Sequence, residues 1–271
     1  MCPFVRSPPM EGVIRPGTMD EDRFDRSRRI EWLDVDAVFR TRVLMVGAGA
    51  LGNEVGKNLA LSGFRKVTIV DMDRVVGSNL NRCLFFNMDD SEGRRFKAEA
   101  LARGMELIGE GLEAEVVTEP VERAPPDIFT RHDIILGCLD NIVARMHVNS
   151  HSYHANRPYI DGGMDGFSGK VAIVRPPEGP CLQCGMNSSH ARVAGIRFSC
   201  TGADVVFHEP RLAAEITTTS VISAVMVREA LKFASGREDL LLSNAFYYDG
   251  RCNVSEELEI SFDPSCPVHA R

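Results

Sequence analysis

The sequence predicts an α/β protein: a doubly wound, mostly parallel Rossmann-like sheet with an antiparallel extension toward the C-terminus, tied down by a zinc clip. Three observations predict the sheet. "RVLMVGAGALGNEVGKNLALSGF" reads as apolar strand, glycine turn and amphipathic helix. Strands then alternate with helical periods as far as "DIILGCLD", the order that builds parallel sheets. After "RPYIDGGMDGFSGKVAIVRPP" the texture changes to hairpin-like strands with glycines.

At 271 residues, 44% hydrophobic and 25% charged, the chain can bury a sizeable core. A net charge of −7, with no basic block beyond Arg26, Arg28 and Arg29, argues against binding a nucleic-acid backbone. No apolar run reaches the roughly 20 residues of a membrane span. The opening "MCPFVRSPPMEGVIRPG" lacks the apolar core of a secretory signal. A cytoplasmic protein is therefore expected, without nucleic-acid or membrane partners.

In chain order, residues 1–22 lack periodicity and are expected to form a flexible tail, leaving 23–271 as one functional unit. "EDRFDRSRRIEWLDVDAVF" predicts a short polar helix anchored on Trp32. Residues 43–46 form the first buried strand, and 53–61 a helix closed by Gly63. "KVTIVD" is the next strand, followed by a helix over 97–108, a strand over 114–117 and the strand in "DIILGCLD". "ITTTSVISAVMVREALKFASG" predicts a long apolar helix ending at Gly236, and "AFYYDGRCNVSEELEISF" a late antiparallel pair.

Gly47, Gly49 and Gly52 form GxGxxG between a strand and a helix, which lets backbone amides and the helix N-terminus approach a phosphate. Asp71 ends the second strand, where an acid can bond ribose hydroxyls. Nicotinamide and ATP readings are equally served to this point. Three further residues favour ATP. Breaking a phosphate bond requires charge stabilisation that hydride transfer does not. Arg82 lies just past the ribose acid, Lys97 opens the next helix, and Asp140 in "CLDN" ends a later strand, where it suits a Mg²⁺ ion. Taken singly, each of these charges could be an ordinary solvated one.

Two of the eight cysteines, Cys181 and Cys184, form CxxC, and Cys266 and His269 repeat that spacing near the C-terminus. Two close ligand pairs with a long gap between them suit tetrahedral Zn²⁺. His147, His151 and His154 share a helix face, but no carboxylate accompanies them at ligand spacing, so a packed or solvated face is expected.

"VLMVGAGALGNEVGKNLALSGFRKVTIVDMDRVVGSNLNR", then a lysine on the following helix and "CLDN", resembles the adenylation domain of ubiquitin-activating enzymes and of their bacterial relatives that activate sulfur-carrier proteins. The resemblance runs from residue 23 to the C-terminus. It implies that Asp71 binds ribose, that Asn79 and Arg82 contact the triphosphate with Lys97, and that Asp140 holds Mg²⁺. "NMDDSEGRRFK" is slightly longer than the family's stretch, which leaves Arg94 or Arg95 as substitutes for Lys97. "RFDRSRRI" resembles the family's N-terminal arm, whose arginine, here Arg26, reaches ATP bound by the partner subunit; this implies a homodimer. The family's four zinc cysteines become Cys₃His here. Cys200, in "FSCTGADVV", matches the "CT" context of the thioester-forming cysteine, with a small packed cysteine as the alternative.

The resemblance implies adenylation of the C-terminal glycine of a ubiquitin-like protein, then transfer to a thiol and possible engagement of a conjugating enzyme. "IDGGMDGFSGKV" resembles the modifier-activating branch more than the sulfur-carrier branch. Sulfur-carrier activation and a catalytically silent scaffold subunit are the alternatives. A nicotinamide dehydrogenase explains the glycines and Asp71 but neither "SNLNR" nor the cysteine pairs.

Overall fold

The computed structural model describes residues 20, 22–185 and 213–269. Most of the expected tail, together with Cys200, lies outside the described residues.

The chain enters through two short helices, α1 (Asp25–Arg28) and α2 (Val35–Arg40), where the sequence predicts one. Asp34 is the cause. Its side chain accepts from Ala37 N at 2.9 Å and caps α2, which starts a new helix instead of extending the first. The aromatic anchor is also different. Trp32 is only half-buried, whereas Phe24 is 3% exposed and packs edge-on against Phe39 with ring centroids 5.0 Å apart.

Strand β1 (Arg42–Val46) leads through the glycine turn into α3 (Ala50–Ser62), then β2 (Lys66–Val70). A crossover segment carries α4 (Met88–Glu92), α5 (Lys97–Ile108) and β3 (Glu113–Val117). Next come β4 (Ile134–Gly137), α6 (Ile142–His154), and the hairpin β5 (Tyr159–Asp165) and β6 (Ser168–Val174). The long helix α7 (Ile216–Ala234) and the pair β7 (Ala245–Asp249) and β8 (Val254–Leu258) follow.

The eight strands form one sheet in the order β3-β2-β1-β4-β5-β6-β7-β8. The first five are parallel neighbours and the last three antiparallel; an antiparallel extension is as predicted, but it already begins with the β5–β6 hairpin, earlier in the chain than the sequence texture indicates. The order of connection reverses between β1 and β4, which run parallel, so a crevice opens at the carboxyl ends of these strands, the usual place for a ligand in such sheets.

Both sheet faces are buried. Val55 and Leu59 of α3, Leu101 and Met105 of α5, and Ile222 and Met226 of α7 pack with Met45, Ile69, Leu136 and Ile160. The opposite face gathers Leu44, Val46, Ile135 and Tyr159 with Phe129, Val148, Cys181 and Cys266. Each fully buried aliphatic side chain contributes about 2 kcal/mol. Among the described residues, no helix is long and apolar enough to cross a membrane.

Candidate active site

The glycine turn is held by its neighbours as well as by its own flexibility. Gly47 has φ +101, and its amide donates to Val70 O at 2.8 Å, so the turn is stitched to β2. A Cβ there would run into the Cys138 carbonyl, and one on Gly52 into the Gly47 carbonyl. Gly49, at the cap of α3, has nothing within 4 Å of its would-be Cβ and no side-chain cap, so the first amides of the helix face open space. Gly52→Ala should therefore lower stability on the order of 2–3 kcal/mol, read as a shift in urea midpoint. A wild-type midpoint would mean that the turn is looser than it looks.

Asp71 ties this turn to the next. Its Oδ2 accepts from Ala48 N at 2.6 Å and its Oδ1 from Asp73 N at 2.8 Å. Burial pushes its carboxyl up, while Lys97 and the two amides pull it down. Lys97 ion-pairs with Asp73 at 2.7 Å. Burial favours its neutral amine, yet the charges of Asp71, Asp73 and Asp140 outweigh this and hold it above the ordinary lysine range. Lys97 is thus a fixed cation facing three acids at the carboxyl edge of the sheet.

One rival cation is occupied elsewhere. Arg95 pairs at 2.9 Å with Asp90, a carboxylate 1% exposed that also binds Arg103 at 2.7 Å. The Arg94 carbonyl accepts from Arg74 at 2.6 Å. Lys97 rather than Arg95 is thus held among the acids.

Arg82 folds back on its own turn, with Nη1 donating to Ser78 O at 2.5 Å and Asn81 Oδ1 at 3.0 Å. Asn79 builds that turn: it is 8% exposed, its Oδ1 accepts from Val76 N at 3.1 Å, and its carbonyl accepts from Arg82 N and Cys83 N. Burial pushes the Cys83 thiol up to about 11, against the charges of Arg82 and Lys97; Asp71 adds to the rise. These three charges thus surround one buried thiol, which stays neutral. Asp140 is exposed, directly before Asn141, whose side chain caps α6 by accepting from Ala144 N at 2.8 Å.

Sequence reasoning missed Asn53. It is fully buried, donates to Ala48 O at 3.1 Å and Gly49 O at 3.0 Å, and accepts from Phe85 N at 3.0 Å. It fastens the glycine turn to the segment after Arg82; the available signal was an amide on the buried face of the helix, one residue after Gly52. A second missed group is Arg145, which ion-pairs with Asp161 at 2.6 Å.

Cys181, Cys184, Cys266 and His269 converge, with their ligand atoms all within 4.8 Å of one another. The Cys181 sulfur lies 3.9 Å from that of Cys184 and 3.7 Å from that of Cys266. A zinc tetrahedron with bonds of about 2.3 Å places its sulfurs about 3.8 Å apart, so this donor set fits the metal. His269 Nδ1 donates to Asp263 O at 3.2 Å, which leaves Nε2 for a metal. Its ring stacks on Phe262 at 4.5 Å. Asn149 Oδ1 accepts from Leu182 N at 2.9 Å, while its buried Nδ2 has no oxygen or nitrogen acceptor and favours the Cys181 thiolate beside it. Burial pushes the Cys181, Cys184 and Cys266 thiols up, a cost that a bound cation would offset.

His147 and His151 lie with tilted rings 4.2 Å apart, and His151 stacks on Phe129 at 5.2 Å, as a packed face rather than a metal site. Arg26 is 74% exposed and pairs with Asp20 at 3.5 Å, apart from the cluster around Lys97.

The ThiF family profile matches residues 25–268. The chain is 32% identical over 151 residues to the SUMO-activating enzyme subunit uba-2 of Caenorhabditis elegans, covering 55% of this chain but 26% of that protein. It is 29% identical over 235 residues to the sulfur carrier protein adenylyltransferase of Thermus thermophilus, covering 84% of this chain and 82% of that one. It thus spans about a quarter of the worm relative and most of the bacterial one. A crystal structure of E. coli MccB with ATP superposes with a TM-score of 0.73 at 20% identity, over 94% of this chain and 76% of that one, which identifies the fold. With the profile covering nearly the whole chain, from the entry helices to the last cysteine pair, the chain belongs to the ThiF family.

Proposed function

We propose that the chain, through residues 23–271, uses ATP to adenylate the C-terminal glycine of a ubiquitin-fold protein. The observation that carries this reading is Lys97, held charged by Asp71, Asp73 and Asp140 beside an uncapped glycine turn. The glycine turn at Gly47, Gly49 and Gly52 would take the phosphates and Asp71 the ribose. Asn79 shapes the turn from which Arg82 swings onto the triphosphate. Asp140 would hold Mg²⁺, which supplies charge neutralisation on the phosphates when bound. The substrate carboxylate needs no base because it is already ionised. Its oxygen bonds the α-phosphorus as the bond to pyrophosphate breaks, and Lys97 and Arg82 stabilise the departing charge. ATP–pyrophosphate exchange that depends on a ubiquitin-fold protein is the defining assay. No exchange with any such protein ending in glycine would reject the reading.

Cys181, Cys184, Cys266 and His269 would hold a structural zinc. Arg26, with its exposed guanidinium, would complete the site of a second copy in a homodimer; a monomer by sedimentation at working concentration would refute this. The expected setting is cytoplasmic.

For the second step, the Cys200 thiolate would attack the acyl carbon, releasing AMP and conserving the activation as a thioester that a conjugating enzyme could accept. Cys200→Ala should then retain exchange but abolish the reductant-sensitive adduct on a non-reducing gel. An adduct that persists in this variant moves the nucleophile to another thiol or another chain.

A second reading, activation of a sulfur carrier, draws support from the Thermus thermophilus relative, which this chain matches nearly end to end. Identifying the acyl acceptor as a conjugating enzyme or a sulfur donor separates the two. A silent scaffold is disfavoured, because Asp71, Lys97 and Asp140 stand together.

A further inference from the structure

We propose that Arg145 is a positioning residue of the nucleotide site: it holds the peptide group before Asp140 and so aims that carboxylate at the divalent cation. The inference rests on the adenylation reading.

Asp140 has no hydrogen-bond partner of its own among the described residues, yet both of its flanks are fastened. On one side the Asn141 side chain caps α6 through Ala144 N at 2.8 Å. On the other, the Leu139 carbonyl accepts from Arg145 Nη2. That peptide group joins Leu139 to Asp140, so its plane sets the direction in which Asp140 leaves the strand.

The guanidinium is itself clamped. Nη2 also donates to Gly162 O at 2.9 Å, and Nη1 to Asp161 Oδ2 at 2.6 Å. The second oxygen of Asp161 accepts from the hydroxyl of Tyr159, a fully buried side chain, at 2.7 Å. Space for the group is cut by two glycines. A Cβ on Gly163 would lie 2.9 Å from Nη2, and one on Gly137 2.9 Å from Asp161 Oδ1. One planar fork therefore ties the loop after β4 to two positions on β5.

A buried ion pair of this kind is a poor way to gain stability, because well-packed apolar residues of equal volume do as well or better. A rigid five-donor fork is, however, well suited to holding three acceptors in a fixed relation, and lysine cannot reproduce it. The geometry therefore suits alignment more than stability.

The test uses the full chain with Arg145→Lys and Asp161→Asn, each followed by thermal melting, calorimetric binding of Mn²⁺·ATP, and Mg²⁺ titration of pyrophosphate exchange. Arg145→Lys should stay folded while Mn²⁺·ATP affinity and Mg²⁺ half-saturation weaken on the order of 10-fold. Should Arg145→Lys melt out, Asp161→Asn, which keeps an acceptor for Tyr159 but loosens Arg145, is read in the same way. In an Asp140→Asn background, adding Arg145→Lys should change little further, because the two act through one carboxylate. Unchanged divalent dependence in the folded variant, or a full additional loss on top of Asp140→Asn, overturns the proposal. Asp140→Asn alone binding Mn²⁺·ATP like the wild type would instead remove the site reading, and this inference with it.

Discussion

Pyrophosphate exchange should fall on the order of 10²-fold or more in Asp140→Ala, and by a similar factor in Lys97→Ala and Arg82→Ala. Under the proposed reading each variant removes one charge that the reaction would use as the bond to pyrophosphate breaks, and a preorganised charge in a crevice cannot be replaced by bulk water. Asp140 gives the cleanest test. It is exposed and has no hydrogen-bond partner among the described residues, so its removal should leave folding within about 0.5 kcal/mol of wild type. A loss of exchange at unchanged melting temperature is then a loss of chemistry. Lys97→Ala carries an added effect, because Asp71 and Asp73, two residues apart, lose the cation between them. Wild-type exchange in all three variants would sink the assignment of the site.

Removing the metal from the Cys₃His cluster should have the largest effect on stability. The ligands come from residues 181–184 and 266–269, so a bound ion closes a long loop and pins the chain end to the second core face. Closing a loop of this length is worth about 4 kcal/mol in chain entropy, and stripping the metal should lower the melting temperature on the order of 10 °C. Cys266→Ser should reproduce much of that loss, because the sulfurs of Cys266 and Cys181 are neighbours at 3.7 Å. Elemental analysis finding no zinc in freshly purified protein, with melting indifferent to chelator, would reject the site.

Much of the architecture is legible in the sequence because it is encoded over short distances. The helix beginning at Lys97, the glycine turn after β1 and the late antiparallel pair of β7 and β8 all follow from local periodicity and turn chemistry. The Cys and His ligands are legible for a related reason: each pair lies within one turn of chain, and only the closing of the gap between the pairs is tertiary. The entry segment is less legible. Trp32 is the largest side chain there, but the core has room for Phe24, and Asp34 ends one helix by capping the next.

What the sequence alone determined is the order of strands and helices and the residue types able to meet ATP and a metal. Only the tertiary structure decided how the cations are distributed, since buried Asp90 pairs with Arg95 and Arg103 while Lys97 pairs with Asp73. It also decided that Asn53 and Arg145 brace the two loops of the crevice, by bonds to Phe85 N and to the Leu139 carbonyl. The physical reason is common to all of these. A polar group's role depends on which partners remain after the core has packed, and packing is set by contacts between segments far apart in the chain, not by the residues on either side.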